Sequence, residues 1–166
     1  MSNYWLNLFN IATWKEFLDA GGRITGFRER TWTTVQQIKP SDYLVCYLTG
    51  ASRFIALLEA RSAPFIDRAP IWKGEEFPCR IKVKPLVILT PMTGLPAVEL
   101  KDQLSFFKDN KSPSSWANYF RRSPIRIKET DGEMIVDALF NAKEHPVSRP
   151  LDKQKIARSL KHNSGL

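Results

Sequence analysis

Short apolar runs alternate with polar turns along this chain, and the pattern predicts a sheet of several strands. Each run is rich in aromatic and β-branched residues and is bounded by Gly, Pro, Asp or Ser. Four runs predict strands: 4–9, 43–49, 54–63 and 77–89. A brief extended segment is expected over 23–28. Most of the predicted strands therefore lie in the first half of the chain.

Helices are predicted between and after these strands. Thr13-Trp14-Lys15-Glu16 has capping-box spacing and opens a helix to Ala20, which Gly21-Gly22 ends. A helical turn follows over 31–38, and Thr130-Asp131-Gly132-Glu133 opens an amphipathic helix near the end. This order of elements predicts an α+β domain in which helices close a small barrel-like sheet.

The predicted strand 77–89 has a cation at every second position in its centre. Arg80, Lys82 and Lys84 alternate with apolar residues, so a strand places the three cations on one face. Pro85 has no N–H to donate, which indicates a sheet edge or a bulge. We expect this row of cations to contact phosphates.

The 166 residues fit a single basic domain with a formal net charge of +8. Half of that charge lies in residues 143–166, which begin with a Pro-interrupted stretch and contain one weakly helical patch at 153–161. We interpret 1–142 as the folded body and 143–166 as a basic C-terminal extension. Two interpretations of the extension stay open: a solvated tail or linker to an effector domain or protein, and an arm that binds phosphates.

The sequence shows no feature of an exported or membrane protein. Met1-Ser2-Asn3 carries no positive side chain, and no apolar run reaches 18 residues. Cys46 and Cys79 lie in apolar runs without CxxC spacing. We therefore expect a reduced cytoplasmic protein with no membrane span, zinc knuckle or disulfide framework.

Catalytic motifs are missing from the predicted body. Both histidines, His145 and His162, lie in the extension, so no histidine base or histidine metal site is expected in the fold. The motifs of serine hydrolases, P-loops, dinucleotide sites and zinc proteases are absent. One catalytic alternative remains, a nuclease that uses Asp67 and Glu99 with Lys101 to hold magnesium. We predict a protein that is not an enzyme and uses no catalytic residue, metal or cofactor.

Several aromatic residues stand beside cations. Trp32, Trp72 and Trp116 lie in polar surroundings, whereas Trp5 and Trp14 lie on strand-like and helical faces typical of a core. An indole next to lysine or arginine suits a nucleobase that stacks while its phosphate is neutralised. For each of the three polar-flanked tryptophans, a contact that seals the core is the alternative.

A series of segments, taken in order, resembles the EVE domain. The series begins with Tyr4-Trp5-Leu6, the Gly-rich stretch 21–27, the stretch 38–45, the stretch 59–65 and Pro70-Ile71-Trp72. The strongest likeness lies at 77–86, and the match continues at 104–107 and 127–131. The resemblance covers about residues 3–142. It implies a PUA-like curved β-barrel with helices packed on the outside, similar to YTH domains, which hold a methylated base in an aromatic cage.

The resemblance also implies where a base would bind. The predicted pocket residues are Thr25, Gly26, Phe27, Trp32, Trp72 and Trp116. The family usually has tryptophan where this chain has Thr25, so either one cage wall is missing or Phe27 or Trp32 supplies it opposite Trp72. The predicted contacts to the nucleic-acid backbone are Arg28, Arg30, Lys73, Arg80, Lys82, Lys84, Arg121 and Arg122.

The predicted function is a non-catalytic module that reads a modified nucleobase flipped into an aromatic pocket. Its expected partner is DNA or RNA carrying such a base, with DNA preferred, as the sensor of a methyl-directed restriction or RNA-modification system. Two other classes stay open: a domain that binds a small molecule or nucleotide derivative, and a protein-interaction adaptor that uses the C-terminal extension.

Overall fold

The computed structural model describes residues 2–109 and 118–164, and a mixed sheet of eight strands lies at its centre. The strands are β1 (Tyr4–Phe9), β2 (Ile24–Phe27), β3 (Tyr43–Leu48), β4 (Arg53–Ala60), β5 (Phe65–Ile66), β6 (Cys79–Ile88), β7 (Leu95–Pro96) and β8 (Ile125–Ile127). The helices are α1 (Ile11–Asp19), α2 (Trp32–Val35), α3 (Ser105–Asp109), α4 (Glu129–Glu144) and α5 (Lys153–Ser164). Short 3-10 turns lie at Glu29–Thr31, Ala97–Leu100 and Asn118–Arg121.

The strands follow one another across the sheet in the order β2-β6-β4-β3-β1-β8. β1 and β3 are parallel, and the other pairs along this order are antiparallel. β3 and β4 lie in the middle and are almost wholly buried, which explains why their sequences are apolar on both faces. The sheet curls into a half-barrel with helices around it, and the predicted α+β class is confirmed.

A buried hydrogen bond joins β1 to β2, the first strand in the sheet order. Asn7 in β1 donates from Nδ2 to Oγ1 of Thr25 in β2 at 2.6 Å, and both side chains are inaccessible to solvent or nearly so. β2 has no backbone pairing with β1 in the described sheet. This polar pair therefore stands where the next strand-to-strand ladder would close a full barrel.

Pro85 marks a bulge within the sheet. Leu57 in β4 pairs with Val87, and the next residue, Leu58, pairs with Pro85, so Leu86 is one extra residue in β6. The bulge predicted from the missing N–H is confirmed. β6 is not an edge strand, because β4 and β2 flank it.

The first helix begins earlier than its sequence signal suggested. Asn10 is the N-cap of α1, and its side chain accepts from the backbone N–H of Thr13 while Thr13 Oγ1 accepts from Asn10 N. The capping box is therefore Asn10 with Thr13, and the predicted box of Thr13 with Glu16 is wrong. Glu16 is used instead to accept from the backbone N–H of Lys73 at 2.8 Å.

The predicted capping box at Thr130-Asp131-Gly132-Glu133 is also wrong. α4 already begins at Glu129, with Lys128 as an N-cap that makes no side-chain cap bond. Asp131 is buried, and it accepts from the backbone N–H and the hydroxyl of Ser105 at 2.8 and 2.6 Å. A carboxylate beside the start of α3 satisfies donors that have no partner within the helix. α4 extends to Glu144, two residues beyond the predicted end of the body.

Candidate functional site

A groove of about 970 Å³ opens beside the carboxyl ends of the parallel strands β1 and β3. Its floor includes Leu8 and Phe9 at the end of β1 and Asn10 and Thr13 at the start of α1. Small-molecule sites typically span about 300–1,000 Å³, so the groove has room for more than one nucleotide unit. Loops and turns from four other parts of the chain form its sides.

The aromatic end of the groove is formed by Trp72 and Phe77. Their rings meet edge to face, with centroids 5.2 Å apart and an interplanar angle of 87°. Gly26 in β2 lies beneath them, and a Cβ at that position would come within 2.9 Å of Trp72 Cζ3 and 2.6 Å of the Phe77 carbonyl oxygen. Only glycine leaves room for this close contact between strand and loop. The two rings and the glycine therefore form one rigid corner of the groove.

One buried arginine fixes the loop that carries these rings. Arg80 in β6 donates from Nη2 to the carbonyl oxygen of Ala69 and from Nε, at 3.1 Å, to that of Phe77. Its guanidinium lies 5.6 Å from the ring centroid of Trp72, within the range of a cation–π contact. Trp72 is further held by a hydrogen bond from Nε1 to the Thr13 carbonyl at 3.2 Å. The indole keeps 7% of its surface exposed, and it lines the groove.

Five arginines line the same groove: Arg28, Arg30, Arg121, Arg122 and Arg126. One carboxylate, Glu75, stands among them and pairs with Arg28 at 2.9 and 3.2 Å. The excess of cations gives the groove a positive potential. The segment with Arg121 and Arg122 is anchored by Phe120, whose ring stacks on Tyr47 with centroids 3.9 Å apart.

Asn10 offers a hydrogen-bond donor to the groove. Its Oδ1 accepts from the Thr13 N–H as part of the helix cap, so the amide group left over is Nδ2. The Nδ2 group of an asparagine side chain donates hydrogen bonds and does not accept them. The floor of the groove can therefore present a donor to an acceptor atom on a base edge.

The predicted pocket residues separate into two sets. Gly26 and Trp72 line the groove, although Trp72 also packs in the core with 7% of its surface exposed. Thr25 and Phe27 do not line the groove and are buried at 0% and 2% exposure. The two-residue period of β2 explains this split, because Thr25 and Phe27 point to the inner face of the half-barrel. Trp32 is half-buried against the core and does not line the groove. Trp116 lies outside the described residues.

The wall opposite Trp72 is therefore neither Phe27 nor Trp32. Phe77 contacts the indole instead, and Thr25 holds the Asn7 side chain. The hydrogen bond to Asn7 gives Thr25 a structural role at the closure of the half-barrel.

The predicted backbone contacts divide in the same way. Arg28, Arg30, Arg121 and Arg122 come together at the groove, although they are separated by 90 residues in sequence. Lys73, Lys82 and Lys84 are exposed away from it, and Arg80 is buried. The expected row of three exposed cations on β6 is thus wrong for Arg80, because the loop 67–77 covers that end of the strand.

Four residues that line the groove were missed by the sequence analysis. Phe77 was passed over because it lies in the apolar run of a predicted strand, and Asn10 because Thr13 was taken as the helix cap. Arg126 carried a usable signal, since Arg121-Arg122-Ser123-Pro124-Ile125-Arg126 holds three arginines in six residues. Ser159 gave no signal at all.

The acids of the nuclease alternative are committed to different partners. Asp67 lies 3.6 Å from Arg80, and Glu99 pairs with Arg149 at 2.8 Å. Within residues 2–109 and 118–164, no three His, Cys, Asp or Glu side chains form a group that could hold a metal ion. None of the helices in these ranges combines the length and apolar character that a membrane crossing requires.

Comparison with known proteins gives one sequence relative and a consistent set of structures. No family model matches the chain. A UPF0310 protein of Pyrococcus abyssi is 29% identical over 150 residues, which span 82% of this chain and 99% of that protein.

The structural neighbours are YTH domains. The Mmi1 YTH domain in complex with RNA superposes with a TM-score of 0.65 at 13% identity, covering 89% of this chain and 84% of that chain. The Pho92 YTH domain in complex with m6A has a TM-score of 0.63 at 14% identity, covering 89% and 88%. The YTH domain of Zygosaccharomyces rouxii MRB1, in complex with N6-methyladenosine RNA, has a TM-score of 0.57 at 17% identity, covering 89% and 90%. These likenesses show that the chain has the fold of a YTH domain.

Proposed function

We propose that this protein is a non-catalytic module that binds nucleic acid and takes one modified base into the arginine-lined groove. The observation that carries the proposal is the groove itself, where the Trp72–Phe77 corner and five arginines line one continuous space. The YTH neighbours crystallised with RNA or m6A have the same fold, which supports this class of ligand.

The geometry assigns different tasks to the two ends of the groove. A base that enters beside Trp72 and Phe77 contacts mainly the half-buried Phe77 ring, because Trp72 is only 7% exposed. A base–aromatic stack contributes on the order of 1–3 kcal/mol. The Asn10 amide lies on the same floor and can donate to the base edge. The arginines neutralise phosphates without reading sequence, so their contribution falls as the salt concentration rises.

Discrimination between a modified and an unmodified base is expected to be moderate. One added methyl group in an apolar pocket contributes about 1–3 kcal/mol, or roughly 10–200-fold in affinity. A flipped base must also leave its stack, which costs a few kcal/mol in a duplex and less in a single strand. We therefore expect single-stranded or locally opened nucleic acid to bind best.

Three finer assignments stay predictions of the sequence. These are membership in the EVE family, a preference for DNA over RNA, and service as the sensor of a restriction or RNA-modification system. The alternative of a small-molecule pocket predicts an enclosed cavity, but exposed residues such as Arg30, Arg121 and Arg122 border this groove. The shape and charge favour a polyanionic strand over a small ligand.

The test is a titration of matched oligonucleotides. Single strands of DNA and RNA would carry N6-methyladenine, 5-methylcytosine, 5-hydroxymethylcytosine or the unmodified base, with binding followed by fluorescence anisotropy. We expect one modified strand to bind at least tenfold more tightly than its unmodified match. Equal dissociation constants for all strands would remove the claim of base reading.

A pair of tryptophan variants locates the binding site. Trp72→Ala should weaken binding of the preferred strand at least tenfold, because it removes one wall of the aromatic corner. Trp32→Ala is the matched control, since Trp32 packs on the core outside the groove and should change affinity less than twofold. Thermal unfolding of both variants would check that each remains folded.

A further inference from the structure

The C-terminal extension is fixed to the body by one buried arginine. Arg53 in β4 donates from Nη1 to the carbonyl oxygens of Pro91, Met92 and Arg149 at 2.8, 3.2 and 2.9 Å. Its Nη2 donates to the carbonyl oxygen of Pro150 at 2.7 Å. Arg53 is 7% exposed, so the donor side of these part-buried bonds is shielded from water. The chain just before α5 is thereby tied to the centre of the sheet.

A second set of contacts directs the chain into α5. Arg149 forms a two-pronged ion pair with Glu99, with both N–O distances at 2.8 Å, and its backbone N–H donates to the Met92 carbonyl. Asp152 then accepts from the backbone N–H groups of Gln154 and Lys155 at 3.1 Å, which caps the start of α5. The position of α5 is therefore specified by named bonds on the body and at its own N-terminus.

α5 lies directly against the turn between β3 and β4. Gly50 has a φ of +84°, and a Cβ there would come within 2.9 Å of Ser159 Cβ. Lys155 Nζ donates to Ser52 Oγ in the same turn at 2.9 Å. Ser159 and the neighbouring Thr49 both line the groove. One side of the groove is thus made by the C-terminal extension.

The positive charge of α5 indicates that this helix borders the groove and does not occupy the place of a bound polyanion. The sequence of α5 contains Lys153, Lys155, Arg158 and Lys161 and no acidic residue. A basic helix beside five arginines does not imitate a polyanion, so it is not a plug that a strand must displace. It adds positive charge on the side of the groove where Ser159 lies.

We propose that α5 is the wall of the groove along which the phosphate backbone of the bound strand runs. The proposal rests on the function proposed above and adds which part of the chain holds the nucleotides next to the bound base. Arg158 is exposed and adjacent to Ser159, so it is the residue we assign to a phosphate. The extension is then part of the binding site.

The test places a negative charge on either side of α5 in the full-length protein. Ser159→Glu puts a carboxylate into the groove, and Ala157→Glu puts the same charge about 200° around the helix, on an exposed position. With a 12-nucleotide single strand carrying a central N6-methyladenine at 50 mM salt, we expect Ser159→Glu to weaken binding roughly fivefold to tenfold. Ala157→Glu should change it less than twofold.

A second pair of variants avoids the packing against Gly50. Arg158→Gln removes one exposed charge next to Ser159. Lys153→Gln removes one exposed charge six residues earlier, about 9 Å from Ser159 along the helix axis. For a single strand, each phosphate contact contributes about −0.7 to the slope of log binding constant against log salt concentration, so loss of one contact makes the slope less steep by about 0.7. We expect this change for Arg158→Gln and no change for Lys153→Gln.

The outcomes separate this proposal from the proposed function. If both members of each pair behave alike while Trp72→Ala still loses binding, the wall assignment is overturned and base reading stands. If neither the methylated strand nor its unmodified match binds the unaltered protein, the proposed function fails and the wall assignment fails with it. Hydrogen exchange of the α5 amides would show that Ser159→Glu leaves the helix in place.

Discussion

Two buried arginines, Arg80 and Arg53, each fix a segment that leads to the groove, and they do so in different ways. Arg80 binds the carbonyl oxygens of Ala69 and Phe77, which lie 11 and 3 residues away. Arg53 binds carbonyls 38, 39, 96 and 97 residues away, at the loop before β7 and in the C-terminal extension. One arginine thus orders a neighbouring loop, and the other joins distant parts of the chain.

The surroundings of the two guanidinium groups also differ. Arg80 has a carboxylate, Asp67, at 3.6 Å and the face of Trp72 at 5.6 Å. Arg53 binds carbonyl oxygens, and burial, with Arg149 nearby, lowers the pKa of its guanidinium. The guanidinium stays protonated even so, because arginine does not lose its proton in proteins. The comparison shows that local and long-range segments can both be fixed by a charged group that satisfies backbone carbonyls.

Removing the Arg80 side chain should have the largest effect. Arg80→Ala leaves two carbonyl oxygens without their donor and uncovers Trp72, so the free energy of unfolding should fall by about 3 kcal/mol. Affinity for the preferred oligonucleotide should fall at least tenfold, because the aromatic corner loses its support. Urea unfolding and anisotropy would measure both. Arg61→Ala, an exposed arginine paired with Glu59, is the control and should cost less than about 0.5 kcal/mol.

Arg53→Ala should separate the extension from the body at a smaller cost. We expect the free energy of unfolding to fall by about 2 kcal/mol, because the carbonyl oxygens of 149–150 can hydrogen-bond to water once the extension moves away. Amides in 149–156 should exchange faster, while those of loop 67–77 keep their protection. Equal deprotection of both segments would show that the two arginines do not act on separate segments.

Alkaline pH should destabilise the core around the buried Tyr47 in β3. Burial raises the pKa of Tyr47 to about 12 from 10.0, and a hydrogen bond with Ser52 opposes part of the rise. Because the folded-state pKa is the higher one, the stabilisation is complete below pH 10 and is lost as the pH rises toward 12. At pH 11 the ionisation of this tyrosine in the unfolded chain should lower the free energy of unfolding by about 1.4 kcal/mol relative to pH 8. Urea unfolding of Tyr47→Phe beside the unaltered protein at pH 8 and 11 would isolate the contribution.

The smallest effect is expected on the strand that carries Arg80. Lys82→Ala and Lys84→Ala remove exposed cations that lie away from the groove, so affinity should change less than twofold and stability by less than about 0.5 kcal/mol. Anisotropy at 50 mM salt would check this. A fivefold loss in either variant would place the bound strand on β6 and contradict the groove assignment.

Much of the fold was predictable because strand patterns are local. The runs at 4–9, 43–49 and 77–89 became β1, β3 and β6 with small changes at the ends, and the missing N–H of Pro85 located the bulge. Helix starts were harder, because a capping side chain at Asn10 and one at Thr13 look alike in sequence. Only the direction of the chain entering α1 decided between them.

The site was predicted less well, for a physical reason that β2 and β6 illustrate. Period two puts Thr25 with Phe27 and puts Arg80 with Lys82, but it does not say which face is covered. The inner face of the half-barrel took Phe27, and the loop 67–77 covered Arg80. Coverage depends on segments far away in sequence, so no local pattern contains it.

The sequence by itself determined the α+β class, the approximate strands and the basic character of the chain. It also singled out Gly26 and Trp72, which line the groove. Only the tertiary structure decided that arginines about 90 residues apart share one groove, that Phe77 contacts Trp72, and that Ser159 in the extension lines the groove. Local periodicity fixes the direction of a side chain relative to its own strand or helix. What that side chain meets is fixed by the curl of the sheet and by the buried arginines that tie the loop and the extension to it.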